Sequence, residues 1–186
     1  MKSGESVRPA TVGDAFDVAR IHVETWRQAY KGIVPDAYLE GLSVERRADF
    51  WVKTLSESTA GTLVAVDAGG RVVGWASFGA SRDEDGRGLG EVYAVYLQSA
   101  DWGKGIGRAL MAAAERRLTE QGFSIFTLWV LELNSRTRRF YDKAGYKPDG
   151  AKKAVGLGGK ELIEVRYRKS APRINVIGAS GAGVML

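Results

Sequence analysis

The sequence predicts a single α+β domain, with one mixed sheet of about six to seven strands covered by about four helices. Three observations lead there. Apolar residues recur at helical spacing in two amino-terminal segments, then at strand spacing in two segments joined by Gly69-Gly70. From Glu91 onward the pattern runs strand, helix, strand, helix, strand, strand. A chain of 186 residues with 45% hydrophobic and 26% charged residues can also bury one continuous core.

The elements follow in order. Thr11-Val-Gly-Asp14 reads as a variant capping box, and Phe16, Ala19, Val23, Trp26 and Tyr30 follow at steps of three and four, the expected buried stripe of a first helix. Gly32 and Pro35 end it. A second helix is expected from Ser43, with Val44, Ala48, Trp51 and Leu55 inward. Two strands, 62–67 and 71–79, meet in a tight hairpin at Gly69-Gly70, and residues 81–90 form a polar, glycine-rich surface loop. The strand 91–97 leads into a helix over 105–121 with Ile106, Leu110, Ala113, Ala114 and Leu118 inward. Residues 123–131 are nearly all apolar, as in a strand buried on both faces. A helix over 135–144 stops at Gly145, and short strands near 146–152 and 160–169 finish the sheet about a Gly-x-Gly-Gly turn. The domain covers residues 1–170, and the Gly/Ala-rich, aperiodic segment 171–186 is expected to be a poorly ordered tail.

One stretch carries most of the chemical information. From Glu91 to Leu110 an alternating strand runs into a helix through Gly103, Gly105 and Gly107. Glycines leave backbone N–H groups exposed, and the helix start adds the positive end of its dipole, so the junction suits a phosphate group. Arg108 stands where G-x-G-x-x-G needs its third glycine, and Gly105 follows Lys104 where G-x-x-x-x-G-K-[ST] needs Ser or Thr. Both of those phosphate loops are excluded. Downstream, Asn134 and Tyr141 lie seven residues apart, two turns along one helix face, ahead of Gly145-Tyr146.

Together, Lys104-Gly105-Ile106-Gly107-Arg108-Ala-Leu and Asn134-Ser-Arg-Thr-Arg-Arg-Phe-Tyr141-Asp-Lys-Ala-Gly145-Tyr146 resemble the GNAT superfamily of N-acetyltransferases, over roughly residues 5–169. The family patterns are [QR]-x-x-G-x-[GA] and N-x-x-A-x-x-x-Y-x-x-x-G-[FY]; here Trp102 replaces the Gln or Arg and Thr137 replaces the small Ala. The resemblance implies a sheet whose central strand pair splays apart, with acetyl-CoA in the wedge as co-substrate and no metal. It implies that Trp102, Gly103, Lys104, Gly105, Ile106, Gly107 and Arg108 hold the coenzyme diphosphate. Val95, Tyr96 and Leu97 would offer main-chain groups, and Asn134 would meet the pantetheine arm. Tyr141 would protonate the leaving thiolate, since a phenol with an ordinary pKa near 10 is neutral at pH 7. Glu91, sixteen residues before Gly107, is the chosen base; strand alternation would set it on one face with Tyr93, Val95 and Leu97. Glu132, Glu24 or a water chain are the alternatives. Trp26 and Tyr30 would border the acceptor amine, with His22 beside them.

The implied activity is acetyl transfer to a primary amine, on a small molecule or a protein, by direct attack in a ternary complex. A chain without cysteine offers no acyl-cysteine intermediate, thiolate metal site or disulfide, and one histidine argues against a histidine-rich metal site. The alternative is a non-catalytic acyl-CoA-binding sensor module. The net charge of +5 is uneven: residues 136–173 hold twelve Lys/Arg against four Asp/Glu, net +8, and the rest sums to −3. That suits an anionic ligand such as CoA. No helix-turn-helix, zinc finger or RNP-like strand accompanies the charge, so no nucleic acid partner is expected. No apolar run approaches the roughly 18–20 residues of a membrane span, nor does the start read as a signal peptide, so a cytoplasmic location is expected. The resemblance allows a homodimer.

Overall fold

The computed structural model describes residues 5–57 and 60–172, so most of the 171–186 tail lies outside the described residues. Seven strands form one sheet: β1 (Ser6–Pro9), β2 (Gly61–Val66), β3 (Val72–Ala80), β4 (Gly90–Leu97), β5 (Ile125–Leu131), β6 (Lys147–Leu157) and β7 (Lys160–Ser170). Their order is β1-β2-β3-β4-β5-β7-β6 in an open sheet. Every pairing is antiparallel except β4 with β5. The helices are α1 (Ala15–Ala29), α2 (Asp36–Glu40), α3 (Val44–Glu57), α4 (Ile106–Glu120) and α5 (Ser135–Lys143).

The two faces of the sheet bury separate apolar layers. On one, α1 and α3 cover β2 and β3 with Val18, Ala19, Ile21 and Trp51 against Val64 and Trp75. On the other, Leu110, Met111, Ala114 and Leu118 of α4 pack on Phe126, Leu128, Tyr146 and Tyr167. All of these but Trp51 are at most 1% exposed, and each Leu or Ile so buried contributes about 1.5–3 kcal/mol. All five predicted inward residues of α4 are buried.

α1 keeps most of its expected stripe: Ala19 and Val23 are fully buried and Trp26 and Tyr30 half-buried, while Phe16 is 57% exposed and Ala15, Val18, Ile21, His22 and Thr25 complete the buried face. Phe16 lies in the first turn, directly after a 3₁₀ capping turn, Val12–Asp14, where the Asp14 carboxylate accepts from the Thr11 N–H at 2.7 Å and hydroxyl at 2.9 Å. The first strand was not legible, because Ser6-Val-Arg-Pro9 has one apolar residue and ends in proline, features of an edge strand. The five-residue α2 also went unseen, within what reads as a turn. β6 runs to Leu157, beyond the expected end, because a register shift between Pro148 and Lys152 lets it resume pairing with β7.

The central pair positions the site. β4 and β5 pair at only two positions, Gly90 with Phe126 and Glu91 with Thr127, and then separate, while β5 stays paired with β7 from Ile125 to Leu131. β4 also carries a bulge: Ala94 pairs with Ser77 and Val92 with Phe78, which leaves Tyr93 unmatched. Five residues apart, Val92 and Leu97 therefore both face α4, while Ala94 and Tyr96 face α1.

Candidate active site

The separated edges of β4 and β5 open a cavity of about 610 Å³. Its walls include Tyr93 to Leu97 from β4, Trp129 to Leu131 from β5, the glycine turn before α4, and one face of α5. Leu97 shows how the β4 edge is used. Its carbonyl accepts from the Trp102 indole N–H at 2.9 Å and the Thr25 hydroxyl at 3.2 Å, while Gln98 N–H binds Val73 of β3. Main-chain groups alternate sides along a strand, so Leu97 and Val95 turn their amides to the gap and Tyr96 turns its toward β3. Tyr96 also lines the cavity.

Trp102, Gly103, Gly105, Gly107 and Arg108 line the cavity. Gly103 and Gly105 have φ of +82° and +90°, and a Cβ on either would meet nothing within 4 Å. Gly105 caps α4 with no side chain on the first amides, so the helix start stays open to an anion. Lys104 bends back to Asp101 at 2.9 Å. The Trp102 replacement gains a reason here. Its indole ties the turn to the end of β4, and the Arg136 guanidinium lies over its ring at 3.7 Å. A cation thus returns to the cavity wall from α5, together with Arg108 and Lys143.

Asn134 is the N-cap of α5, and its Oδ1 accepts from the Thr137 N–H at 3.1 Å. It also lines the cavity, so the cap oxygen is used and the amide NH₂ remains available. Arg138 fixes α5 by donating to the Glu132 carbonyl and the Tyr167 hydroxyl, both at 3.1 Å. Tyr141 lies two turns on, 6% exposed, with ring centroids 6.2 and 6.3 Å from Tyr146 and Tyr167. Burial, then the nearby Tyr96, holds its phenol well above the ordinary value. The structure therefore brings the glycine turn, Asn134 and Tyr141 to one cavity.

Glu91 requires a correction. The bulge at Tyr93 breaks the alternation, so Glu91 does not share a face with Val95 and Leu97. It is 2% exposed and absent from the cavity wall. Its two oxygens accept from the Arg82 N–H at 2.9 Å and guanidinium at 2.6 Å.

Trp26 and Tyr30 do line the cavity, at its α1 end. The Trp26 indole donates to the Tyr96 hydroxyl at 2.8 Å, and its ring meets Tyr30 edge-on at 4.9 Å. Burial first, then neighbouring hydroxyls, raises the Tyr30 phenol. His22 lies behind them, stacked on Trp26 at 5.4 Å and tilted toward Tyr96 at 5.1 Å, with no partner for either ring nitrogen. Burial, then Arg47, lowers it to about 3.

Several wall residues escaped the sequence reading, among them Arg136, Lys143, Trp129 and Glu164. Glu164 was hidden in the basic carboxyl-terminal third, and only its pairing opposite Leu131 reveals its direction.

Similarity to known proteins agrees with this geometry. The sequence profile of the acetyltransferase (GNAT) family matches residues 20–146. The uncharacterized N-acetyltransferase YuaI of Bacillus subtilis is 41% identical, over 87% of this chain and 96% of its own length. The probable N-acetyltransferase Rv2775 of Mycobacterium tuberculosis is 29% identical, over 89% of this chain and 95% of its own. Among solved structures, the PaiA N-acetyltransferase of Thermoplasma acidophilum, in complex with coenzyme A, has a TM-score of 0.70 at 23% identity and covers 92% of this chain and 100% of that one. Sequence profile, relatives and splayed sheet agree, and this chain belongs to the GNAT family of acetyltransferases.

Proposed function

We propose that this protein transfers the acetyl group of acetyl-CoA to a primary amine by direct attack of the amine within a ternary complex. The observation that carries the proposal is the convergence of an uncapped glycine turn and a buried tyrosine on one cavity between parted strands. The residues fit the coenzyme: two positive-φ glycines leave a backbone cradle, and Arg108, Arg136 and Lys143 supply cations. Acetyl-CoA would supply an activated acetyl group as a thioester. The open edge of Val95 and Leu97 would orient the pantetheine arm and stabilise charge on the carbonyl oxygen. Tyr141, kept neutral by burial, would donate its proton to the departing sulfur. The amine would enter between Trp26, Tyr30 and Trp129. With Glu91 closed off by Arg82, its proton would leave through water reaching the cavity past the Tyr30 and Tyr96 hydroxyls.

Calorimetric titration of acetyl-CoA, followed by thiol release on an amine panel, tests the proposal. Tyr141→Phe is expected to lower kcat by about 100-fold, a usual size for one acid–base group, with acetyl-CoA affinity within about twofold. Binding without turnover on any amine would favour the sensor-module reading, and no binding at all would remove both.

A further inference from the structure

We infer that Glu164 is the group that recognises the acceptor: its carboxylate receives the ammonium of a primary monoamine carried on an aromatic or apolar body, with no carboxylate beside the nitrogen. This deepens the acetyl transfer proposed above and rests on it.

Among the residues lining the cavity, Glu164 is the one acid. The basic lining residues, Arg108, Arg136 and Lys143, belong to α4 and α5 on the coenzyme side, so the cavity changes sign along its length. Glu164 sits on β7 opposite Leu131 of β5 and Lys153 of β6, on the sheet face away from Val165 and Tyr167, which pack toward α4. Around it the wall is apolar and aromatic: Leu131, Leu157, Trp26, Tyr30 and Trp129.

Neighbouring acids differ from Glu164 in their partners. Both oxygens of Glu91 are taken by Arg82. Asp83, Asp85 and Asp149 are bound by the Arg166 guanidinium at 2.6 to 3.1 Å. Among the described residues, no group donates a hydrogen bond to Glu164. Its nearest cation is the Lys153 ammonium at 3.6 Å, which also lies over the Trp129 ring at 3.9 Å. Glu164 is thus a partly exposed carboxylate held by one long ion pair and no hydrogen bond, and an ammonium entering the cavity would give it the close, hydrogen-bonded partner that Lys153 does not.

Position relative to Tyr141 completes the case. Glu164, Tyr30, Tyr96 and Tyr141 all line the same cavity, so the carboxylate and the proposed acid face one bound acceptor. A second negative charge on the acceptor would face Glu164 at close range in a half-buried setting, where like charges repel strongly.

The test compares 2-phenylethylamine, L-phenylalaninamide and L-phenylalanine as acceptors with saturating acetyl-CoA. The amide controls for the added volume without the charge. Wild type is expected to favour the amine over L-phenylalanine by at least about tenfold in kcat/KM, with the amide close to the amine. Glu164→Gln is expected to raise KM for 2-phenylethylamine by about tenfold or more, with kcat changed less than threefold and acetyl-CoA affinity unchanged. Glu164→Asp is expected to recover part of the loss, which a merely structural role would not predict. The inference is overturned if Glu164→Gln leaves KM within twofold or if L-phenylalanine is preferred. It also falls if wild type binds acetyl-CoA yet acetylates none of the three, an outcome that leaves acetyl transfer to other amines standing. Failure of wild type to bind acetyl-CoA would instead overturn the proposed function itself. The wild-type acceptor preference needs no variant and decides the question even if Glu164→Gln does not fold.

Discussion

At the scale of single residues, the site depends on groups kept in one protonation state by burial. Tyr141, the proposed acid, has a phenol that stays protonated through the alkaline range, because burial and then Tyr96 raise it. The kcat of wild type is therefore expected to show no descending limb up to about pH 10, measured with an amine already neutral there. His22 gives the opposite lesson. Its folded-state value is lowered to about 3 from the ordinary 6.5, so unfolding takes up a proton between those values. Its effect is absent above pH 6.5, and stability is lost as pH falls from there toward 3. His22→Leu also removes two buried nitrogens without partners. Urea unfolding is expected to find the variant about as stable as wild type at pH 7 and roughly 2–3 kcal/mol more stable at pH 4. Trp102 was legible from sequence only as a replacement for the family's Gln or Arg. Its indole bond to Leu97 and the Arg136 stack were not legible, because they join residues brought together only by folding.

At the scale of elements, the glycine turn was the most legible feature, since a positive φ leaves few residue choices. Gly105→Ala is expected to cost about 1–2 kcal/mol of stability through backbone strain alone, since a Cβ there meets open space. Calorimetry is also expected to show weaker CoA binding, because the strained turn would re-aim its amides. The loop between β3 and β4 read only as polar and glycine-rich, yet it is anchored. Asp83 and Asp85 grip the 8%-exposed Arg166 side chain of β7, and Asp83 also accepts from the Trp129 indole at 3.0 Å. Arg166→Leu leaves carboxylates facing one another without their cation, and chemical denaturation is expected to show a loss of about 3–5 kcal/mol. The first helix was legible from its hydrophobic spacing, with Ala19 and Val23 buried as expected; of that stripe only Phe16, in the first turn, is exposed.

At the scale of the whole molecule, the sheet is two half-sheets joined by two residue pairs at one end of β4 and β5. The parting of the central strands was implied by the resemblance that the motifs carry, but the point at which they part was not legible, since it depends on which hydrogen bonds are never made. A ligand lodged in the gap would cross-link the halves. Acetyl-CoA at 100 times its Kd is expected to add about 2.7 kcal/mol to stability, visible as a raised Tm. Hydrogen exchange is expected to slow in residues 93–97 and 129–131 in the same samples. Glu91 was chosen by its distance from Gly107, a count along the chain that the bulge at Tyr93 makes unreliable as a guide to direction. That bulge works like a reading-frame shift within a strand: each residue upstream of it has exchanged sides with respect to those downstream. Val92 and Ala94 already answer neighbouring residues of β3, so deleting Tyr93 would leave Val92 beneath α4 and Glu91 on the opposite side. The extra residue is therefore spent on the cavity, whose wall it joins at the mouth of the gap.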